Sequence, residues 1–248
     1  MGYHGIDVSE YQGVIDWASI QKEFTFAMLR AGYGVTEKQI DKKFELNIDA
    51  AFRNGFNIGC YWFLYALTVE DAIKNAEAFL KVLEPHRKKI TFPVVLDVEG
   101  DTVRYMKMQG VEPSKYLISE MIKAFCDRME KAGFYVMVYS DNSFINTYFK
   151  NEILEKYDLW FAYWVNVFNP SYCTRHCGMW QHTNNGNVEG IEGRVDLDYT
   201  EKDYFKIISE LEKKKEEVIV PVSSVLIESG TVTETDTQIH IILNKKVK

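Results

Sequence analysis

Two carboxylates, Asp97 and Glu99, stand one residue apart at the end of the apolar run Pro93-Val94-Val95-Leu96. Side chains at i and i+2 of a strand point to the same side, with Cα atoms roughly 6–7 Å apart. Like charges at that spacing repel, and burial raises the cost, so a purely structural strand gains little from them. A site that handles protons does gain, because crowded acids hold one another's protons near neutral pH. Two further acids end strand-like runs: Asp7 in Gly5-Ile6-Asp7-Val8 and Asp196 in Arg194-Val195-Asp196-Leu197, with Asp198 following as an exposed neighbour. Taken singly, each acid reads as a helix cap or a loop partner. Taken together at one mouth, they suit glycoside hydrolysis, in which one carboxylic acid protonates the leaving oxygen and a second carboxylate manages the developing positive charge. Clustered acids also hold divalent cations. Here His4, His86, His176, His182 and His240 are scattered without ligand spacing, so no metal and no cofactor is expected.

The elements needed to bring these acids together are legible as alternation. Strand-like runs fall at 3–8, 26–31, 58–64, 91–97, 134–139, 159–164, 178–182 and 194–197, with helical periodicity at 15–23, 42–54, 69–83, 114–131 and 143–149. Alternating strands and helices imply a parallel sheet, and eight strands imply a closed barrel. The later strands are joined mostly by loops, so an irregular β/α barrel is expected, its strands mostly parallel. Catalytic residues of such barrels sit at the C-terminal strand ends, and strands one and eight are neighbours. Residues 203–217 read as a charged helix. Beyond them Val, Ile and Thr alternate with polar residues, as in a small β appendage. The expected division is a catalytic barrel at 1–212 and an appendage at 213–248, whose role, including self-association, is open.

The 248 residues carry a net charge of −7 and are 46% hydrophobic, 26% charged and 14% aromatic. An acidic chain of this kind lacks the basic surface of a nucleic-acid protein. No apolar run approaches the ~18 residues of a membrane span. The start, MGYHGIDVSEYQG, lacks the pattern of a secretory signal. Cys60 and Cys126 fall in apolar segments and read as core, while Cys173 and Cys177 read as two free thiols or a local disulfide ahead of a metal site.

Eight blocks then follow one another in order: GIDVSEYQG, AGYG, GCYWF, FPVVLDVEG, VYS, LWFAYW, MWQH and VDLDY. Together, over roughly Gly5 to Tyr199, they resemble the family-25 glycoside hydrolases, the Chalaropsis-type lysozymes. The resemblance implies a flattened, irregular barrel and an N-acetylmuramidase cutting the β-1,4 bond between N-acetylmuramic acid and N-acetylglucosamine of peptidoglycan. It implies Glu99 as general acid, Asp97 assisting by orienting the substrate acetamide, and Asp7 and Asp196 completing the acidic floor. Tyr61, Phe63, Tyr139 and Trp164 match family aromatics that pack on sugars, and Gln181 matches a polar position in strand seven. Two positions depart from the pattern: Trp62 stands where the family often has His, and Tyr33 where it often has an acid. The expected setting is action on the bacterial cell wall as a phage endolysin, with a secreted autolysin or a trimmed module left open. Retention and inversion are both open. A chitinase-like enzyme should show a longer series of acids before Asp97, where this chain is apolar. A sugar-binding barrel without catalysis has no need of all four acids.

Overall fold

Eight strands close into one barrel in chain order: β1 (Tyr3–Val8), β2 (Phe26–Tyr33), β3 (Asn57–Phe63), β4 (Ile90–Asp97), β5 (Val136–Asp141), β6 (Asp158–Ala162), β7 (Cys177–Gly186) and β8 (Val195–Thr200). The structure, a computed structural model, describes residues 2–165, 167, 177–218, 231–235 and 238–242. Strands β1 to β7 pair in parallel, and β8 runs antiparallel to both β7 and β1. The expected eight-stranded, mostly parallel barrel is therefore present. One placement is corrected: Asp196 opens β8 rather than ending it. It still reaches the mouth formed by the C-terminal ends of the other strands, because β8 is reversed.

Helices cover the early strands. Helix α1 (Trp17–Ile20) follows β1, α2 (Phe44–Arg53) follows β2, and α3 (Val69–Leu83) follows β3. Helix α3 starts where the Thr68 hydroxyl accepts the Asp71 N–H, with Glu70 and Asp71 set against the helix dipole. After β4 come α4 (Gly100–Met108) and α5 (Lys115–Lys131). Helix α5 is capped by Ser114 and buries Ile118, Met121, Ile122, Phe125 and Met129, spaced at three and four residues. Two short helices, α6 (Asn142–Tyr148) and α7 (Asn151–Lys156), follow β5, and no helix separates β7 from β8. Helices α4 and α7 were not expected. Both are short, and their apolar residues are too few to give a clear period. In α2, Phe44, Ile48 and Ala51 are buried, while Phe52, at the same helical spacing, is exposed.

The core has two layers. One lies between the barrel and its helices and is built on Val94, Leu96, Val138 and the apolar faces of α2, α3 and α5. The other fills the barrel with Phe26, Met28, Phe92, Val95, Met137, Trp160, Met179 and Tyr204. Phe26 stacks on Phe92 at 4.6 Å, and Gly5 leaves it that space: a Cβ there would lie 2.2 Å from the Phe26 ring. Gly178 likewise makes way for the Tyr204 hydroxyl, which donates to Asp158 at 2.9 Å beside the start of β6.

By its internal contacts the chain forms two units, Met1–Ser209 and Glu210–Lys248. Helix α8 (Tyr204–Val218) runs across that boundary, and the second unit holds an antiparallel hairpin of β9 (Thr231–Thr235) and β10 (Gln238–Ile242). Cys60 and Cys126 are free and buried, and Cys177 is disulfide-bonded. Cys173 and His176 lie outside the described residues. Among the described residues no helix is long and apolar enough to cross a membrane.

Candidate active site

The C-terminal mouth of the barrel opens into a cleft of about 450 Å³. Asp7, Asp97, Glu99 and Asp196 all line it, together with Tyr33, Tyr61, Phe63, Tyr139 and Gln181. Strand register explains the convergence. Asp7 pairs with Asp196 across β1 and β8, and Asp97 sits between Phe63 of β3 and Tyr139 of β5. Between the two acids, Val98 turns into the core and its N–H donates to Tyr139 O at 3.1 Å. Glu99 then occupies the N-cap of α4 in extended backbone (φ −149°), which lifts its carboxyl out of the strand and into the cleft. Thr102 fixes that turn: its hydroxyl accepts the Glu99 N–H at 3.4 Å and donates to Leu64 O at 3.0 Å.

Burial and like charge push these acids upward. Glu99, partly open to the cleft, is raised to about 7 by desolvation and by Asp101, Asp141 and Asp196, with Arg104 opposing. Asp97 is raised well above the usual carboxylate range, first by burial and then by the charge of Glu99. Its Oδ1 is buried and has no hydrogen-bond donor among the described residues. Burial and the neighbouring Asp196 and Asp198 raise Asp7, while Asp196 is raised to about 6 mainly by burial. The site therefore holds protons at a pH where exposed carboxylates have lost them.

A hydrogen-bond chain fixes the floor. Gln181 donates from Nε2 to Asp7 Oδ2 at 2.8 Å, and its Oε1 accepts from the Tyr139 hydroxyl and the Trp164 indole N–H, each at 3.0 Å. Trp164 lies beyond the end of β6, is 54% exposed and is not among the cleft-lining residues, but its indole tethers it to the floor. Tyr61 and Tyr139 pack edge-on against Trp160 at 5.8 and 4.8 Å. Trp62, the departure in β3, is fully buried and donates to Gly34 O at 3.2 Å, so it serves the wall behind the site.

Three parts of the site escaped the sequence reading. Asp198 is not exposed but wholly buried, and its Oδ1 accepts the Trp160 indole N–H at 2.8 Å. The i, i+2 rule applied to Asp97 and Glu99 could have found it, had the last strand been carried past Leu197. Arg30 is the second: its Nε donates to Asp41 Oδ2 at 2.8 Å, its other nitrogen reaches Glu10 at 3.1 Å, and its charge lies close enough to lower the Asp97 pKa. The third comprises Tyr65 and Asp101, which line the cleft from just beyond β3 and from the first turn of α4.

This arrangement agrees with what the chain is similar to. The model of glycosyl hydrolases family 25 matches residues 6–191, which include Asp7, Asp97 and Glu99. The chain belongs to that family. As a family-25 member it is a glycoside hydrolase. It is 31% identical over 201 residues to the uncharacterized protein YegX of Escherichia coli K12, covering 78% of this chain and 68% of the relative. It is 29% identical over 202 residues to lysozyme M1 of Streptomyces globisporus, covering 79% and 66%. Among solved structures, the modular autolysin LytC of Streptococcus pneumoniae in complex with a synthetic peptidoglycan ligand superposes with a TM-score of 0.67 at 27% identity. That match covers 80% of this chain and 46% of LytC, so the chain spans less than half the length of that autolysin.

Proposed function

We propose that this chain is a lysozyme that hydrolyses the β-1,4 bond between N-acetylmuramic acid and N-acetylglucosamine in bacterial peptidoglycan, with Glu99 as proton donor. The observation that carries the assignment is the state of Glu99: a carboxyl facing the cleft whose pKa is raised to about 7 by burial and by the acids around it. A general acid works best when its pKa lies near the working pH. Glu99 protonates the glycosidic oxygen as the bond to the anomeric carbon breaks, and the resulting carboxylate then takes a proton from the incoming water. Asp97, one residue away on the same side, accepts the acetamide N–H and aligns its carbonyl oxygen with the anomeric carbon. Asp196, raised only to about 6, provides negative charge beneath the oxocarbenium-like transition state near neutral pH, and Asp7, kept protonated by burial and its acidic neighbours, completes the floor beside it. Gln181 holds Asp7 in place, and Tyr33, Tyr61, Phe63, Tyr139 and Trp164 present ring faces and edges to the sugars.

The lysozyme M1 and LytC likenesses support peptidoglycan as substrate, and the bacterial cell wall is then the place of action. The experiment is turbidity clearing of a Gram-positive cell-wall suspension together with a count of new reducing ends. The unmodified chain should clear it, and Glu99→Gln should lose about 10²–10⁴-fold in rate, the range for removing a general acid. Equal rates for the two proteins would sink the assignment. Cleavage of chitin alone would move it to a different glycosidase class.

A further inference from the structure

Beside the cleft lies a second hollow of about 310 Å³, which shares Tyr33 and Tyr65 with the cleft lining. The hollow is bounded by Tyr33, Tyr65 and Tyr105, with Gly34, Val35 and Gln39 completing it. Tyr65 stands at its centre. Its ring meets Tyr33 at 5.5 Å and 77°, and Tyr105 at 5.0 Å and 68°, so the three rings form an open corner. Tyr105 comes from α4, the helix that Glu99 caps, and Tyr65 follows β3 directly. All three rings are half-buried, in contrast to the fully buried aromatics of the barrel core. None of their hydroxyls is hydrogen-bonded to a described residue. Gln39 receives the N–H groups of Val35 and Thr36 and the Thr36 hydroxyl on its Oε1, which leaves its amide nitrogen free to donate.

We propose that this tyrosine corner is a distal sugar subsite, which takes a further N-acetylhexosamine of the same glycan strand beyond the units held over the acids. The proposal rests on the glycan-hydrolase reading above. A polymer bound across the acids has to leave the cleft, and this hollow adjoins it at two shared side chains, Tyr33 and Tyr65. Its volume lies at the lower end of small-ligand sites. The lining carries ring faces, phenolic hydroxyls, an amide donor and no formal charge. That chemistry matches a neutral, hydroxyl-rich ring and offers no counter-charge to the ionised groups of a stem peptide.

The test uses the whole chain and peptide-free glycan oligomers of four and eight alternating sugars. Catalytic efficiency should be higher on the longer oligomer. Tyr105→Ala should lose about five- to tenfold on eight sugars, the scale of one aromatic contact, and stay within twofold on four. Tyr105→Phe, which keeps the ring, should retain most of the advantage, and both variants should melt as the parent does. Equal losses on both lengths, or no loss on either, would overturn the subsite. So would a penalty confined to oligomers that carry stem peptides. A binding arm separates this inference from the one beneath it: with Glu99→Gln in the background, Tyr105→Ala should weaken binding of the eight-sugar glycan by the same factor. If the unmodified chain cuts no glycan yet this length-dependent binding stands, the hydrolase reading fails and the subsite survives.

Discussion

Trp160 donates its indole N–H to Asp198 across 2.8 Å, at a depth where neither residue meets appreciable solvent. The other oxygen of Asp198 is buried without a hydrogen-bond partner among the described residues, and burial raises this carboxyl well above its usual range. Asp198 belongs to the floor that holds Asp7, since β8 also carries Asp196 and pairs with β1 and β7. A carboxyl whose pKa is raised in the fold costs stability because the unfolded chain gives up its proton at a lower pH. The cost is absent below the unfolded value near 3.8 and grows as pH rises toward the folded value. Asp198→Asn keeps an oxygen for Trp160 and carries no charge. Its melting temperature should exceed the parent's by about 2–4 °C at pH 7, and the two should converge at pH 4. Thermal unfolding at the two pH values decides this, and a gain that persists undiminished at pH 4 would show that charge is not its origin.

Glu99 must be protonated to donate, so activity should fall as pH rises through about 7. Asp101 is the largest charge contribution to that elevation. Removing it lowers the Glu99 pKa and moves the basic limb of the rate profile to lower pH. Asp101→Asn should therefore cost about two- to fivefold in kcat/KM at pH 8 and almost nothing at pH 5. A pH–rate profile on soluble glycan provides the check, and a uniform loss at every pH would point to a binding defect instead.

The barrel was legible because its strands read as short apolar runs alternating with helical stretches, and because α3 and α5 carry clear caps and periods. The four acids were legible because strand ends in such a barrel converge. What escaped depends on contacts between distant segments. Asp198 and Arg30 look like ordinary surface residues until β8 reverses and Asp41 folds back beneath β1. The reversal has no local signature, since β8 alternates in the same way whichever direction it runs. Helix α4 begins at Glu99, the proposed proton donor, where Glu99, Gly100 and Asp101 carry no apolar period to mark a helix.

Gln181 joins three side chains of the floor, Asp7, Tyr139 and Trp164, so its loss should affect stability and rate together. Gln181→Leu leaves the Tyr139 hydroxyl and Asp7 Oδ2 without their partners in a buried setting. Each unmet group costs about 1–3 kcal/mol. Urea unfolding should show a loss of about 2–4 kcal/mol, and if Asp7 serves the floor beneath the transition state as proposed, kcat should fall more than KM rises. A change confined to KM would remove Gln181 from the positioning of Asp7.

Arg30 anchors the loop after β1 from below. Its guanidinium pairs with Asp41, whose side chain is fully buried, reaches Glu10 and lies 4.9 Å from the centre of the Tyr11 ring. Asp41 also accepts the Glu10 N–H at 2.9 Å, so one buried carboxylate ties the loop to the barrel wall. Replacing Arg30 with Met strands that carboxylate. Breaking a buried pair by removing one partner costs about 3–5 kcal/mol, and the backbone donors that Asp41 retains place this case at the low end. Arg30→Met should therefore lose about 3 kcal/mol, and adding Asp41→Asn should restore part of it, because the uncompensated charge goes with it. In the same variant Glu10 and Tyr11 lose their tether at the cleft edge, so KM for glycan should rise while kcat changes little. Urea unfolding of the single and double variants, with steady-state kinetics on the more stable of them, tests both halves. A double variant weaker than Arg30→Met alone would show that Asp41 serves the loop through its own hydrogen bonds rather than through the ion pair.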